Sequence, residues 1–171
     1  SQARFTNCAF TRTPDSGSPD QCGIDFECFN REVRLENCFF GDNAGPGVEF
    51  LDIHGEQAWS RDNAVLGCAF QGNGWAARSG QTGSGGIHHY GKDVATGIIC
   101  DNLVYEPGKP LYHGEFVHFT LQNNLQAARP LAASLNDFGA AQNQNGWRYQ
   151  YRKGGAWQNL THYDPAKRAW R

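Results

Sequence analysis

Methionine is absent from the 171 residues, and so is any apolar run long enough to cross a membrane as a helix. The opening residues lack the basic-then-apolar pattern of an export signal. Positive charge is not in excess either: 15 Lys and Arg stand against 17 Asp and Glu, for a net charge of −2. A nucleic-acid or anionic-membrane partner needs a basic surface, so neither is expected. No window repeats apolar residues at i, i+3 and i+4, which argues against helical repeats. A Gly-rich phosphate loop, a Gly-x-Ser-x-Gly elbow, an EF-hand loop and a Cys-His pair at a known spacing are all missing. The familiar nucleotide, serine-hydrolase and calcium-sensor chemistries therefore have no foothold.

What the chain has instead is repetition. Phe5-Thr-Asn-Cys-Ala-Phe10, Leu35-Glu-Asn-Cys-Phe-Phe40 and Val65-Leu-Gly-Cys-Ala-Phe70 recur with their cysteines at 8, 38 and 68. Cys100-Asp-Asn-Leu-Val-Tyr105 reads as a looser fourth copy and Leu121-Gln-Asn-Asn-Leu-Gln126 as a worn fifth. A fixed period of this size marks stacked supersecondary units. The copies alternate apolar and polar residues between turn-forming Gly, Asn, Asp and Pro, so the units are strands. A second phrase, Gly followed by an alternating strand, falls between them at Gly23–Cys28, Gly47–Leu51 and Gly86–Tyr90, with Pro110–His113 as a fourth copy. Two main strands per coil are expected, the coils lying about 4.8 Å apart.

The predicted fold is all-β: a short right-handed parallel β-helix of about five coils over residues 1–126. A linker-like stretch over 127–144 and an aromatic hairpin over 145–171 follow. The hairpin reads as Trp147–Tyr151 and Ala156–Leu160 about Gly154-Gly155. It is either a cap on the solenoid or the start of a β-sandwich. Cys8, Cys38 and Cys68 are expected as one inward column of thiols. Asn7, Asn37, Asn102 and Asn123 are expected to pass amide hydrogen bonds between rungs. Cys22 and Cys28 either form a local bridge or stay apart.

Alternation also selects candidate functional residues. If Ile24, Val48, Ile87 and Leu111 face inward, then Asp25, Glu49, His88 and Tyr112 face outward, with Tyr90 on the same side. Flat rings and carboxylates on one face suit sugar rings and their hydroxyls. Trp59 and Trp75, on the two longest insertions, are placed to join them. Asp25 and Glu49 would lie one rung apart, about 5 Å. That spacing also fits the two carboxylates of a retaining glycosidase. With Glu27, it would suit a calcium ion. His88 and His89 point to opposite sides of a regular strand, so a zinc site is not expected.

The strand phrases from Phe5 to Gln126 resemble those of right-handed parallel β-helix proteins, most of which act on polysaccharides as lyases, hydrolases or depolymerases. The paired Asp and Gly-His-Gly of the polygalacturonase type are not present: His54-Gly55 follows Ile53, and His113-Gly114 follows Tyr112. In length and aromatic decoration the chain is most similar to the non-catalytic β-helical carbohydrate-binding modules attached to xylanases of gut bacteria. That resemblance implies a secreted or cell-surface module that binds a plant cell-wall polysaccharide, xylan first, without a catalytic residue or required cofactor. It also implies a covalently linked glycoside hydrolase. Two alternatives stay open: a small lyase or hydrolase using Asp25, Glu49 or Arg78, and a structural or adhesion stalk.

Overall fold

The computed structural model describes residues 2–18, 21–52, 60–76, 78, 84–91, 95–127, 150–153, 156–164 and 169–170. All regular structure among them is β. The chain divides into two compact units, residues 1–130 and 131–171.

The first unit is built of three parallel sheets. One contains β1 (Arg4–Thr6), β4 (Arg34–Glu36), β7 (Asn63–Leu66), β10 (Gly97–Cys100) and β13 (Phe119–Gln122), in that order. The second contains β2 (Ala9–Thr11), β5 (Phe39–Gly41), β8 (Ala69–Gln71), β11 (Leu103–Tyr105) and β14 (Leu125–Gln126). The third contains β3 (Ile24–Phe26), β6 (Val48–Asp52), β9 (Ile87–Gly91) and β12 (Tyr112–His113). Each strand pairs with its counterpart one repeat away, so the chain climbs through the sheets in turn as a parallel β-helix does.

Three strands per repeat replace the two expected. The cysteine phrase is two short strands around a corner, because its third residue turns the backbone left-handed. Asn7, Asn37, Gly67, Asp101 and Asn123 all take φ between 52° and 59° there. Asn, Asp and Gly bear this conformation at least cost. At Gly67 an added Cβ would also come 2.7 Å from the Asn37 side chain.

The corner also corrects the alignment of the fourth copy. Cys100 pairs with Leu66, and Leu103 with Ala69. Asp101 therefore stands at the turn and Asn102 in the cysteine column. The thiol column does exist in the first three repeats: Cys38 and Cys68 are buried, and Cys8, in the first described rung, is half-buried. All six cysteines are thiols, so no bridge joins Cys22 to Cys28. From Asn102 onward amides take over. Its Oδ1 accepts from the Cys68 amide at 2.8 Å, and its Nδ2 donates to Val65 O at 3.0 Å and Asn124 Oδ1 at 2.7 Å.

Rings and aliphatic side chains fill the interior. Phe10, Phe40 and Phe70 stack with centroids 5.1 and 4.9 Å apart, and Phe26 lies on Phe50 at 4.7 Å. Leu35, Val65 and Ile99 from the first sheet complete the buried cluster. A second polar ladder runs up the corner after the second sheet. Asn43 Nδ2 donates to Asn73 Oδ1 at 2.8 Å, and Asn73 Nδ2 to Glu106 Oε1 at 2.7 Å. Inside a solenoid such amides satisfy the turns' backbone groups, which would otherwise be costly to bury.

The second unit contains two antiparallel ribbons. β15 (Gln150–Lys153) pairs with β16 (Ala156–Asn159), and β17 (Tyr163–Asp164) with β18 (Ala169–Trp170). Of the hairpin expected over Trp147–Tyr151 and Ala156–Leu160, Gln150–Tyr151 and Ala156–Asn159 fall in the first of these, while Trp147–Tyr149 and Gly154-Gly155 lie outside the described residues.

Candidate functional site

The third sheet carries the residues singled out by alternation. Ile24, Phe26, Val48, Phe50 and Ile87 belong to the core or pack against it. Asp25, Glu49 and His88 project from the opposite side, in register on three adjacent strands. The fourth member is not Tyr112. Tyr112 pairs with Ile87, and it is His113 that pairs with His88. Tyr112 thus turns inward, packs on the core and meets the Phe116 ring at 5.5 Å. Burial pushes its phenol pKa up. The one-residue slip reverses its facing because strand side chains alternate with period two.

The column is therefore Asp25, Glu49, His88, His113: two acids followed by two imidazoles. It is not the solvated surface expected. Glu49 and His88 are only 2% and 1% exposed. They meet at 2.9 Å between Oε1 and Nδ1, so the His88 Nδ1–H donates to the carboxylate. A buried carboxylate and imidazole hold one another in this way because neither tolerates burial alone. Glu49 and His88 thus serve as an inner support, and the reachable part of the column lies further along.

That reachable part is formed by His113 and Tyr90. The His113 ring lies 4.9 Å from His88, tilted by 31°. Its Nδ1 is buried and has no hydrogen-bond partner among the described residues. Burial, reinforced by His88, holds its pKa below the usual histidine range. Tyr90, two residues beyond His88 on the same side, is 48% exposed with its ring 6.1 Å from His88. It is open because β12 stops at His113. Gly114 turns away at φ +101°, where an added Cβ would fall 1.9 Å from His89 O. Among the described residues no fourth-rung strand residue stands beside Tyr90.

His89 points to the other side, as alternation predicts, and reaches the inner polar end of the sheet. Its Nε2 lies 2.8 Å from Asp52 Oδ2, and its Nδ1 contacts Glu115 O. Both ring nitrogens therefore face acceptors, which suits the doubly protonated imidazole. The Ala95 amide donates to the same Asp52 oxygen at 2.7 Å.

Trp75 occupies a separate ledge. Its indole is 57% exposed, yet its Nε1–H donates to Asp42 O at 3.1 Å. The backbone is held on both sides: Gly74 N–H donates to Gly45 O at 2.7 Å and Ala76 N–H to Ala44 O at 2.9 Å. The Gln21 side chain adds a bond to Ala76 O at 2.7 Å. A loop tryptophan most often folds onto its own scaffold; this one is fixed with its ring outward. Trp59 lies outside the described residues. Arg78 is engaged by Asp15.

Among the described residues no group of three or more His, Cys, Asp or Glu side chains converges as metal ligands do. Asp25, Glu27 and Glu49 accordingly do not assemble the calcium site their spacing allowed. Sequence reasoning missed His113 as a member of the column, although the misplaced boundary was the only obstacle. It also missed the exposed ring of Phe29, which follows β3 at φ 54°. Comparison with family models, curated proteins and solved structures gives no match, and the reading of the site rests on its own residues.

Proposed function

We propose that this chain is a carbohydrate-binding module for a plant cell-wall polysaccharide, xylan before others, serving a linked glycoside hydrolase outside the cell. The observation that carries the reading is Trp75, an indole presented to solvent on an anchored ledge. A fixed flat ring binds a sugar face without first losing conformational freedom, which is where much binding energy is otherwise spent. The near-neutral charge agrees with an uncharged polymer as ligand. Burial of Glu49 against His88 and pairing of Arg78 with Asp15 both weigh against the hydrolase or lyase alternative, which needs these groups free to meet substrate. In this reading the solenoid is right-handed and about five coils long.

Affinity electrophoresis in gels containing xylan, mixed-linkage glucan or pectin tests the proposal. Retardation by xylan that Trp75→Ala abolishes is the expected result. Free migration in every gel would remove the proposal, and new reducing ends after incubation would replace it with an enzymatic one.

A further inference from the structure

We infer that the notch between His113 and Tyr90 is a subsite for one uncharged sugar ring, with the Tyr90 face as its platform and the His113 imidazole as its hydroxyl-bonding group. The inference rests on the polysaccharide reading above but uses residues separate from the Trp75 ledge.

Four observations lead to it. First, the notch is a product of the backbone: β12 ends at His113 and Gly114 turns the chain away, so the outward Tyr90 ring has no strand neighbour on that side. An exposed phenol ring beside a step in a rigid sheet offers an apolar face with a polar rim, the shape that sugar rings use. Second, His113 does not stand freely. Its ring lies 4.9 Å from His88, and His88 is fixed by Glu49. A supporting row of this kind is what gives a binding group a defined direction.

Third, the buried Nδ1 of His113 lacks a partner among the described residues. A neutral imidazole carries one donor and one acceptor, and with Nδ1 enclosed the half-buried ring offers a sugar hydroxyl its other nitrogen. The depressed His113 pKa agrees with the neutral form. Fourth, among the described residues the titratable groups in the column with His113 are His88 from β9, then Glu49 of β6 and Asp25 of β3. Glu115 follows on its own segment. The one imidazole neighbour, His88, already gives its Nδ1–H to Glu49, so a uronic acid placed here finds no described cation free to balance its charge. The notch is thereby selective for neutral residues of the polymer.

The experiment is titration calorimetry of the whole chain with xylohexaose, cellohexaose and hexagalacturonate. Retardation in xylan gels is run alongside, and far-UV circular dichroism confirms that each variant is folded. Tyr90→Ala and His113→Leu are each expected to weaken binding of a neutral hexaose at least tenfold. His113→Gln, which keeps a donor and an acceptor, should retain more of it than His113→Leu does. Hexagalacturonate should bind at least tenfold more weakly than the better neutral hexaose. If the parent is retarded by xylan but folded Tyr90→Ala and His113→Leu bind like it, the notch is not a subsite and the Trp75 reading stands. If hexagalacturonate binds more tightly than either neutral sugar, the selectivity is wrong. If nothing binds in gel or calorimeter, both readings fall together. Should His113→Leu fail to fold, Tyr90→Ala decides, since that side chain is exposed.

Discussion

Asn73 gives its side-chain amide to Glu106 at 2.7 Å, and its backbone amide lies 3.0 Å from the other oxygen of the same carboxylate. One buried glutamate thus ends an amide ladder that begins at Asn43. Lys109 Nζ, close by, donates to Asn73 O at 2.7 Å.

Burial raises the Glu106 pKa above the ordinary glutamate value, against the lowering effect of those Asn73 bonds. The folded chain therefore holds this proton more tightly than the unfolded chain. The associated stability is complete below the ordinary glutamate range and declines as pH rises through the raised value. Glu106→Gln should flatten this part of the urea-midpoint profile, above the ordinary glutamate range. Glu106→Ala leaves two Asn73 donors without acceptors and should cost about 1–3 kcal/mol.

Asp52 and His89 form the inner polar end of the third sheet, both of them buried. Asp52→Ala removes an acceptor shared by His89 Nε2 and the Ala95 amide. Breaking one partner of a buried pair typically costs about 3–5 kcal/mol, because the other is left uncompensated. Chemical denaturation of Asp52→Ala against the parent measures it. A loss under about 1 kcal/mol would show that the pair is not the anchor described.

Burial also pushes the Cys68 thiol up to about 12. Alkylation requires the thiolate, so this position should label far more slowly than Cys8 at pH 8, and only through opening of the fold. Peptide mapping after timed iodoacetamide treatment reads the order. Cys68→Ser is a mild change here. Leu35 O and Leu66 O, each 3.5 Å from the sulfur, are at hand as acceptors for a hydroxyl, so a cost near 1 kcal/mol is expected.

Gly114→Ala should be among the most damaging single methyl additions in the first unit. It combines a left-handed backbone with a Cβ driven into His89 O. A loss of about 2–4 kcal/mol is expected from melting curves. A variant of parental stability would mean that the turn after His113 is not held as described.

The thirty-residue register was plain in the sequence because the first three repeats are of equal length: Phe5, Leu35 and Val65 pair in succession. The later steps change, from Val65 to Ile99 and from Ile99 to Leu121, 34 and 22 positions. There the asparagine at 102, read as the counterpart of Asn7 and Asn37, drew the fourth copy one place away from the true corner at Asp101. The third strand of each repeat was hidden for another reason. A left-handed corner at Asn or Asp splits a strand without the Gly-Pro punctuation that usually announces a turn. Tyr112 was misplaced because β12 is only two residues long, too short for alternation to fix which residue faces inward. The covering of Glu49 and His88 was not legible at all, since alternation gives direction from the sheet but not what lies above it.

The pairing of each strand only with the rungs on either side has a kinetic consequence. Opening one rung in the middle requires breaking two rows of backbone hydrogen bonds, whereas an end rung gives up one. Amide hydrogens should therefore exchange with solvent deuterium in a graded order, earliest at β1 and β13, last at β7 and β8. The lifetime of a hydrogen bond is then a matter of distance from the ends. Val65 and Phe70 would be the slowest sites for their place along the axis as much as for their side chains.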